Sequence, residues 1–402
     1  MSQTGPASGP NAILVVNAGS SSLKFSVFRD RADGDPVVVI NGQISGIGTQ
    51  PEFEAKDAAR RPLAGKRWGA DEPGDRTALL RYLLGWIEEH LEGATLIAAG
   101  HRVVHGGVRH AAPVLLTEAV MEELDGLVPL APLHQPHNLA AIRALAEAHP
   151  GLPQVACFDT AFHRNQPWQA QMFAIPRELT EEGVRRYGFH GLSYEYIARR
   201  LPQLAPELGD ARVVVAHLGS GASMCGIHGG RSVDSTMGFT ALDGLPMGTR
   251  CGAIDPGVLI YLMRKGMDAG GIEKMLYNKS GLLGVSGLSN DMRALLESAD
   301  PRAQEAVELF CFRIAKETGA LSASMGGIDA FVFTAGIGER SAPVRARVGD
   351  KLAWLGVELD AAANEANASR ISAPGSRLPV YVIPTDEEGM IALHTRKLLT
   401  GR

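Results

Sequence analysis

Val15-Val-Asn17-Ala-Gly19-Ser20-Ser-Ser22-Leu-Lys24-Phe25 and Val215-Ala-His217-Leu218-Gly219-Ser220-Gly221-Ala-Ser-Met-Cys225 are two copies of one design. In each, an apolar run ends on a side chain that can hydrogen-bond. One residue later come Gly-Ser, and then a second apolar run. Such runs around a short polar turn read as strand, turn, strand. The copies lie 200 residues apart, Asn17 against His217. A hairpin repeated at that distance predicts two structurally similar halves.

Outward from the first copy, polar residues 1–11 are expected to be a disordered tail. Residues 51–76, rich in Gly, Pro and mixed charge, read as a surface connection or irregular hairpin. Thr77–Leu91 places Leu80, Leu83, Leu84, Ile87 and Leu91 at the helical period. Leu96–Ala99 is a buried strand running into Gly100-His101-Arg102. Helices follow at about 117–127 and 137–148, and the strand Gln154–Phe158 ends at Asp159. Beyond the second copy, helices are predicted near 254–266, 289–298 and 301–320. Strand Ala330–Thr334 runs into Gly336-Ile337-Gly338-Glu339, strand Pro379–Ile383 into Thr385–Glu388, and a last helix covers about 388–399. Strands alternating with helices give an α/β class.

The 402 residues predict two or three domains. With 39 Lys+Arg against 44 Asp+Glu, the net charge is −5, so no basic field marks a nucleic-acid binder. Glycine, at 47 residues, is in excess, as expected of many tight turns or of backbone brought close to a ligand. Cys157, Cys225, Cys251 and Cys311 show no CxxC spacing, which argues against a zinc site and fits a reducing compartment. The opening MSQTGPASGP lacks an apolar core, so it does not read as a signal peptide. No apolar run reaches membrane-spanning length. A cytoplasmic enzyme is the expectation.

Four strand ends carry turns suited to a phosphate: 17–22, 217–221, 334–339 and 385–388. Turns with little side chain let backbone N–H groups approach an anion, although any one of them could be an ordinary hairpin turn. GxxxxGK[ST] is missing, and Ser341 breaks GxGxxG, so neither a P-loop nor a Rossmann dinucleotide site is expected. Arg102 in Gly-His-Arg-Val-Val-His-Gly-Gly and Arg250 in Gly-Thr-Arg-Cys-Gly lie beside glycines. Guanidinium groups grip carboxylate and phosphoryl oxygens bidentately. A structural bridge, Arg250 to Asp255 for example, is the alternative. His190 lies in Tyr-Gly-Phe-His-Gly, where glycines leave room for a substrate. Asp159 at a strand end could be a base, a metal-sphere ligand or a helix cap.

Eight motifs now stand in order: Asn17–Lys24, Gly100–Gly107, Phe158–His163, Tyr187–Gly191, His217–Gly219, Thr249-Arg250, Thr334–Glu339 and Pro384–Glu388. In these the chain resembles the acetate/propionate kinase family, from about Ala12 to Leu399. The resemblance implies a duplicated ribonuclease-H-like fold of the actin/hexokinase/Hsp70 type, with the active site in the interdomain cleft. It implies an N-terminal domain of residues 12–160 plus 389–402 and a nucleotide-binding domain of 161–388. The implied reaction is Mg²⁺-dependent transfer of the ATP γ-phosphoryl group to acetate, with Mn²⁺ as an alternative metal and a homodimer as the assembly.

By resemblance, Asn17 and Glu387 hold the metal, largely through water. Ser20, Ser22 and Lys24 form the loop near the transferred phosphate. Arg102 and Arg250 surround the acyl carboxylate and the moving phosphoryl group, His190 contacts that group, and Asp159 is the essential acid. Val104, Leu133 and position 241 line the acyl pocket. His217, Leu218, Gly219, Ser220 and Gly221, then Asp291, Met292 and Arg293, then Gly336, Ile337, Gly338, Glu339 and Arg340 bind nucleotide. Four positions depart from the pattern: Ser220, Arg340 and Asp386 each replace a usual Asn, and Ala241 replaces a proline of the acyl pocket. A propionate or butyrate kinase, and a nucleotide-binding regulator without turnover, are the rival readings.

Overall fold

The computed structural model describes residues 10–401 except 20, 32, 33, 70, 71, 73 and 133. Most of the expected tail therefore lies outside the described residues, but Asn11 already belongs to the first strand, paired with Thr95. The chain divides into two compact units, one formed by residues up to Ala161 together with those from Asp386, the other by Phe162–Thr385.

In the first unit, β1 (Asn11–Ala18) pairs antiparallel with β2 (Leu23–Arg29), Asn17 opposite Lys24. β3 (Val37–Ser45), β4 (Glu52–Asp57) and β5 (Pro62–Arg67) continue the meander. On its other side β1 runs parallel to β6 (Thr95–Val103), which runs parallel to β8 (Gln154–Phe158). The two-residue β7 (Val114–Leu115) closes that edge. Ile13, Leu14 and Val15 are fully buried, as expected of a strand covered on both faces. Leu14 and Val16 share a core with Leu80, Leu83, Leu84 and Ile87 of helix Arg76–Glu89 and with Leu145 of helix Gln135–Ala148. The helix Glu387–Thr400 packs on β1 and β6.

The second unit repeats the plan. β9 (Arg212–Leu218) pairs antiparallel with β10 (Ala222–His228), His217 opposite Ser223, and β10 pairs with β11 (Arg231–Ser235). β9 runs parallel to β12 (Ala330–Thr334), and β12 to β13 (Val380–Val382). The orders β3-β2-β1-β6-β8 and β11-β10-β9-β12-β13 are one topology, antiparallel then parallel about the first strand of each unit. The duplication read from two hairpins thus extends to five strands in each unit. The first long helix after the fifth shared strand belongs to the other unit: Gly191–Leu204 comes after β8 and packs on β9, and Glu387–Thr400 comes after β13.

On the C-terminal side the division falls between Thr385 and Asp386. Asp386 caps the final helix, its Oδ1 accepting from Gly389 N–H at 2.8 Å, so Glu387 sits in the first helical turn and belongs to the first unit. Residues 51–76 include the hairpin β4–β5, irregular as expected, its register shifting between Ala55 and Lys56. The turn expected at Gly336–Glu339 is the helix Ala335–Arg340, opened by Ala335 at φ 63°. No helix among the described residues is long and apolar enough to cross a membrane.

Candidate active site

In the first unit, strand ends bring charges together. Arg102, on β6, donates from Nε and Nη2 to the two oxygens of Asp159, just past β8, at 2.9 and 2.7 Å. This is the planar two-point grip that suits a guanidinium. Asp159 is 2% exposed, so its Arg102 partner is what permits the charge to be buried. Glu387 Oε2 lies 3.8 Å from Arg102 Nε. Burial opposes the charge on Arg102, but Asp159, Glu387 and Glu388 outweigh it and hold its pKa above the ordinary arginine range. Burial pushes the Glu387 carboxyl up to about 7, against the pull of Arg102, with Asp159 and Glu388 adding to the rise.

Glu387 is therefore a carboxylate short of positive charge, because Asp159 takes both nearby donors of Arg102. A divalent cation fits that deficit. Among the described residues no three His, Cys, Asp or Glu side chains form a metal-binding group. Mg²⁺ keeps several waters and is commonly held by only one or two carboxylates. Asn17 lies at the end of β1, half-buried. Lys24 opposite it is exposed. The turn between them is closed by Gly19 N–H donating to Ser22 O at 2.8 Å. Ser20 lies outside the described residues. Arg76, which the sequence reading passed over, donates from Nη2 to Gly19 O at 3.1 Å. Its helical period drew attention to that segment's apolar face and not to its first residue. Val104 is buried, its N–H held by Asn138 Oδ1 at 3.1 Å. Leu133 lies outside the described residues.

The second unit brings together His190, His217, Arg250 and the 219–221 turn. His190 adopts a left-handed conformation, φ 58° and ψ 26°, as the N-cap of helix Gly191–Leu204. Non-glycine residues held so are characteristic of functional sites. Buried His163 donates from Nε2 to Phe189 O at 2.9 Å and fixes the chain directly before it. Gly188, at φ 76°, is required there, because a Cβ would stand 2.6 Å from the His163 ring. The rings of His190 and His217 stack at 4.2 Å, 16° from parallel. His190 Nδ1 lies 2.8 Å from Ser223 Oγ, which also contacts Tyr194 Oη. His217 Nδ1 lies 2.8 Å from Ser193 Oγ.

Arg250 Nη1 donates to Ala241 O at 3.0 Å. Asp255, the alternative partner considered for it, accepts from Gly257 N–H at 2.7 Å and caps the helix Pro256–Arg264. A Cβ at Gly221 would stand 3.4 Å from His190 Nε2 and 3.8 Å from Arg250 Nη1. The bare turn, the histidine and the arginine thus converge on one spot. Beside them a cleft of about 600 Å³ is lined by Gly219, Ser220, Asp291, Met292, Arg293, Gly336, Ile337 and Arg340. Asn290, Leu296, Glu297, Ser341 and Pro343, which carry no motif, complete its wall. Leu218 and Gly338 are buried behind it. Glu339 turns elsewhere and accepts from Thr385 N–H at 3.1 Å. Asp291 doubles as a helix cap, accepting from Ala294 N–H at 3.0 Å.

Comparison with known proteins matches residues 12–393 to the acetokinase family. The acetate kinase of Nitrobacter hamburgensis is 55% identical over 393 residues, covering 98% of this chain and 97% of that protein. The acetate kinase of Rhizobium meliloti is 53% identical, covering 97% and 99%. Among solved structures, a propionate kinase from Francisella tularensis matches at TM-score 0.88 and 37% identity over 96% of this chain and 98% of its own. The acetate kinase of Porphyromonas gingivalis matches at 0.86 and 36%, covering 97% and 100%.

Proposed function

The chain belongs to the acetokinase family, and from that premise we propose that it moves the γ-phosphoryl group of ATP reversibly to acetate, giving acetyl phosphate and ADP. The observation that carries the reading is the 55% identity to an acetate kinase along nearly the whole of both chains. An acyl-hydroxamate assay with acetate, propionate and butyrate tests it. Turnover of none of the three would sink the reading.

The nucleophile needs no general base, since a carboxylic acid with pKa near 4 is ionised at neutral pH. What the transfer requires is two anions held in line and neutralisation of charge on the equatorial oxygens. Arg102 and Arg250 supply positive charge for the acetate carboxylate and the phosphoryl group, and His190 Nε2 supplies a donor to that group. Asp159 acts as the residue that orients Arg102; the two-point hydrogen bond supports this role over that of a base. Asn17 and Glu387 would hold Mg²⁺, which when bound neutralises phosphate charge. The cleft beside Gly219, Arg293 and Gly336 takes the nucleotide, its exposed Arg293 available to the adenine face. Gly221 leaves space for the phosphoryl oxygens, and the resemblance assigns Lys24 to the same group. The resemblance assigns Val104, Leu133 and Ala241 to the acyl pocket.

Propionate is the second reading. Ala241 favours it, together with the similarity to the Francisella propionate kinase. We place the enzyme in the cytoplasm as a homodimer. Val258, Ile260, Tyr261 and Met263, exposed on helix Pro256–Arg264, support the assembly.

A further inference from the structure

We propose that two serine hydroxyls set the tautomers of the stacked pair His190 and His217, so that both rings present Nε2–H to the 219–221 turn, where the phosphoryl group passes. The proposal rests on the kinase reading for its consequence but on geometry for the tautomers.

The proton count is clearest at Ser193. Its hydroxyl is fully buried and lies between Thr385 Oγ1 at 2.9 Å and His217 Nδ1 at 2.8 Å. Thr385 donates to Ser193 Oγ. A serine hydroxyl carries one proton, and that proton then goes to His217 Nδ1. Nδ1 accepts only when it is bare, so the ring proton sits on Nε2. Ser223 repeats the arrangement. It too is fully buried, between His190 Nδ1 at 2.8 Å and Tyr194 Oη. The phenol is the more acidic of the two hydroxyls and the better donor. Tyr194 therefore donates to Ser223, and Ser223 to His190 Nδ1.

Two further features favour neutral rings. His190 caps the N-terminus of a 14-residue helix, where the helix dipole opposes an imidazolium. Its ring lies 4.2 Å from that of His217, a separation at which two positive charges repel. The outward nitrogens agree with the assignment. His190 Nε2 stands 3.4 Å from the Cβ position of Gly221, and His217 Nε2 stands 3.8 Å from that of Gly219. Two parallel N–H donors thus face the turn without consuming a proton. Ser193, Ser223, Tyr194 and Thr385 are positioning residues. Thr385 also ties this pair to the nucleotide cleft, since its N–H donates to Glu339 on helix Ala335–Arg340.

The test is two-bond ¹H–¹⁵N correlation of the full chain labelled with ¹⁵N-histidine, the two rings assigned through His190→Asn and His217→Asn. The expected result is Nε2–H for both at neutral pH. Ser193→Ala and Ser223→Ala should each give a mixture of tautomers. Each should lower kcat by roughly 10- to 100-fold, by analogy with loss of the hydrogen-bond partner behind a metal-bound histidine. The KM values for acetate and ATP should stay within about two-fold. Serine-to-threonine variants, which keep the hydroxyl, should restore both readouts. An Nδ1–H tautomer or an imidazolium at either ring of the wild type overturns the proposal, as do alanine variants with unchanged tautomer and kcat. Should the alanine variants fail to fold, the wild-type spectrum decides alone. Nε2–H tautomers in an enzyme that makes no acyl phosphate would uphold the assignment and sink the kinase reading.

Discussion

Arg102 grips both carboxylate oxygens of Asp159, at 2.9 and 2.7 Å, from a strand 57 residues away in sequence. If Arg102 also holds the acyl carboxylate, Arg102→Ala should raise the KM for acetate while leaving that for ATP nearly unchanged. Losing a charged hydrogen bond costs about 1.5–3 kcal/mol, roughly 10- to 150-fold in kcat/KM. The same change leaves Asp159 buried and unpaired, at a cost of about 3–5 kcal/mol in stability. Arg102→Ala/Asp159→Ala should therefore melt higher than Arg102→Ala while regaining no activity. A double variant no more stable than the single one would mean that the pair is not coupled in the folded chain.

This pair marks the limit of what could be read from the sequence. Arg102 and Asp159 were each conspicuous, because both end strands beside glycine or aromatic residues. Their contact was not, since it depends on β6 and β8 being neighbours. Both hairpins, β8 and β12 were legible because their residues are apolar on both faces and bounded by turn residues. Strand β3 was not read, because its polar Asn41, Gly42 and Gln43 interrupt the apolar run. Helix Ala335–Arg340 was read as a turn, because Gly-Ile-Gly is the composition of a turn and the helix is set by its position after β12. Ser193, Ser223 and Thr385 carry no motif as single hydroxyls. They gain meaning only from the histidines placed against them.

Glu387→Ala should raise the Mg²⁺ concentration for half-maximal activity by at least about tenfold, as loss of one of few protein ligands implies. Glu388→Ala should shift it far less. Titrating activity against Mg²⁺ for both variants decides. The reverse order would assign the metal to Glu388.

His101 predicts an acid limb of stability. It is 2% exposed, its Nε2 donating to Gln154 Oε1 at 2.7 Å. Burial pushes its pKa from 6.5 down to about 4, with the Gln154 hydrogen bond partly opposing the fall. Between those values the unfolded chain takes up a proton that the folded chain refuses. Stability from this group is complete above pH 6.5 and is lost as the pH falls toward 4. The loss amounts to up to about 3 kcal/mol. Urea unfolding at stepped pH should show this slope, and His101→Gln should flatten it. An identical slope in the variant would remove His101 as its source.

Gly100 predicts where the last helix is seated. A Cβ there would stand 2.4 Å from Thr395 Oγ1 and 2.5 Å from Ile391 Cγ2, both buried on helix Glu387–Thr400. Gly100→Ala should cost about 1–3 kcal/mol by overpacking and should weaken Mg²⁺ use, because Glu387 starts that helix. Gly85→Ala is the control. Nothing lies within 4 Å of a Cβ at Gly85, in the middle of helix Arg76–Glu89, so alanine there should stabilise by up to about 1 kcal/mol. Thermal melts of the two variants should move in opposite directions. A Gly100→Ala protein that melts with the wild type would place the helix elsewhere.

Ala241 predicts chain-length selectivity. Its carbonyl accepts from Arg250 Nη1 at 3.0 Å, so the residue sits directly on the arginine proposed to hold the moving group. If Ala241 walls the acyl pocket, as the resemblance implies, alanine in place of the family's usual proline leaves that wall two ring carbons smaller. One methylene in an apolar pocket is worth about 1–3 kcal/mol of discrimination. The wild type should therefore use acetate first, propionate as a substantial second and butyrate poorly. Ala241→Pro keeps the carbonyl and restores the ring, so Arg250 retains its acceptor while the pocket shrinks. The kcat/KM ratio of propionate to acetate should then fall by roughly tenfold or more. The KM for ATP reports separately on whether the backbone change has disturbed Arg250, and it should stay near the wild-type value. A well-folded proline variant with an unchanged ratio would show that the wall of the pocket lies elsewhere. Val104, one residue beyond β6, would then be the next position to vary.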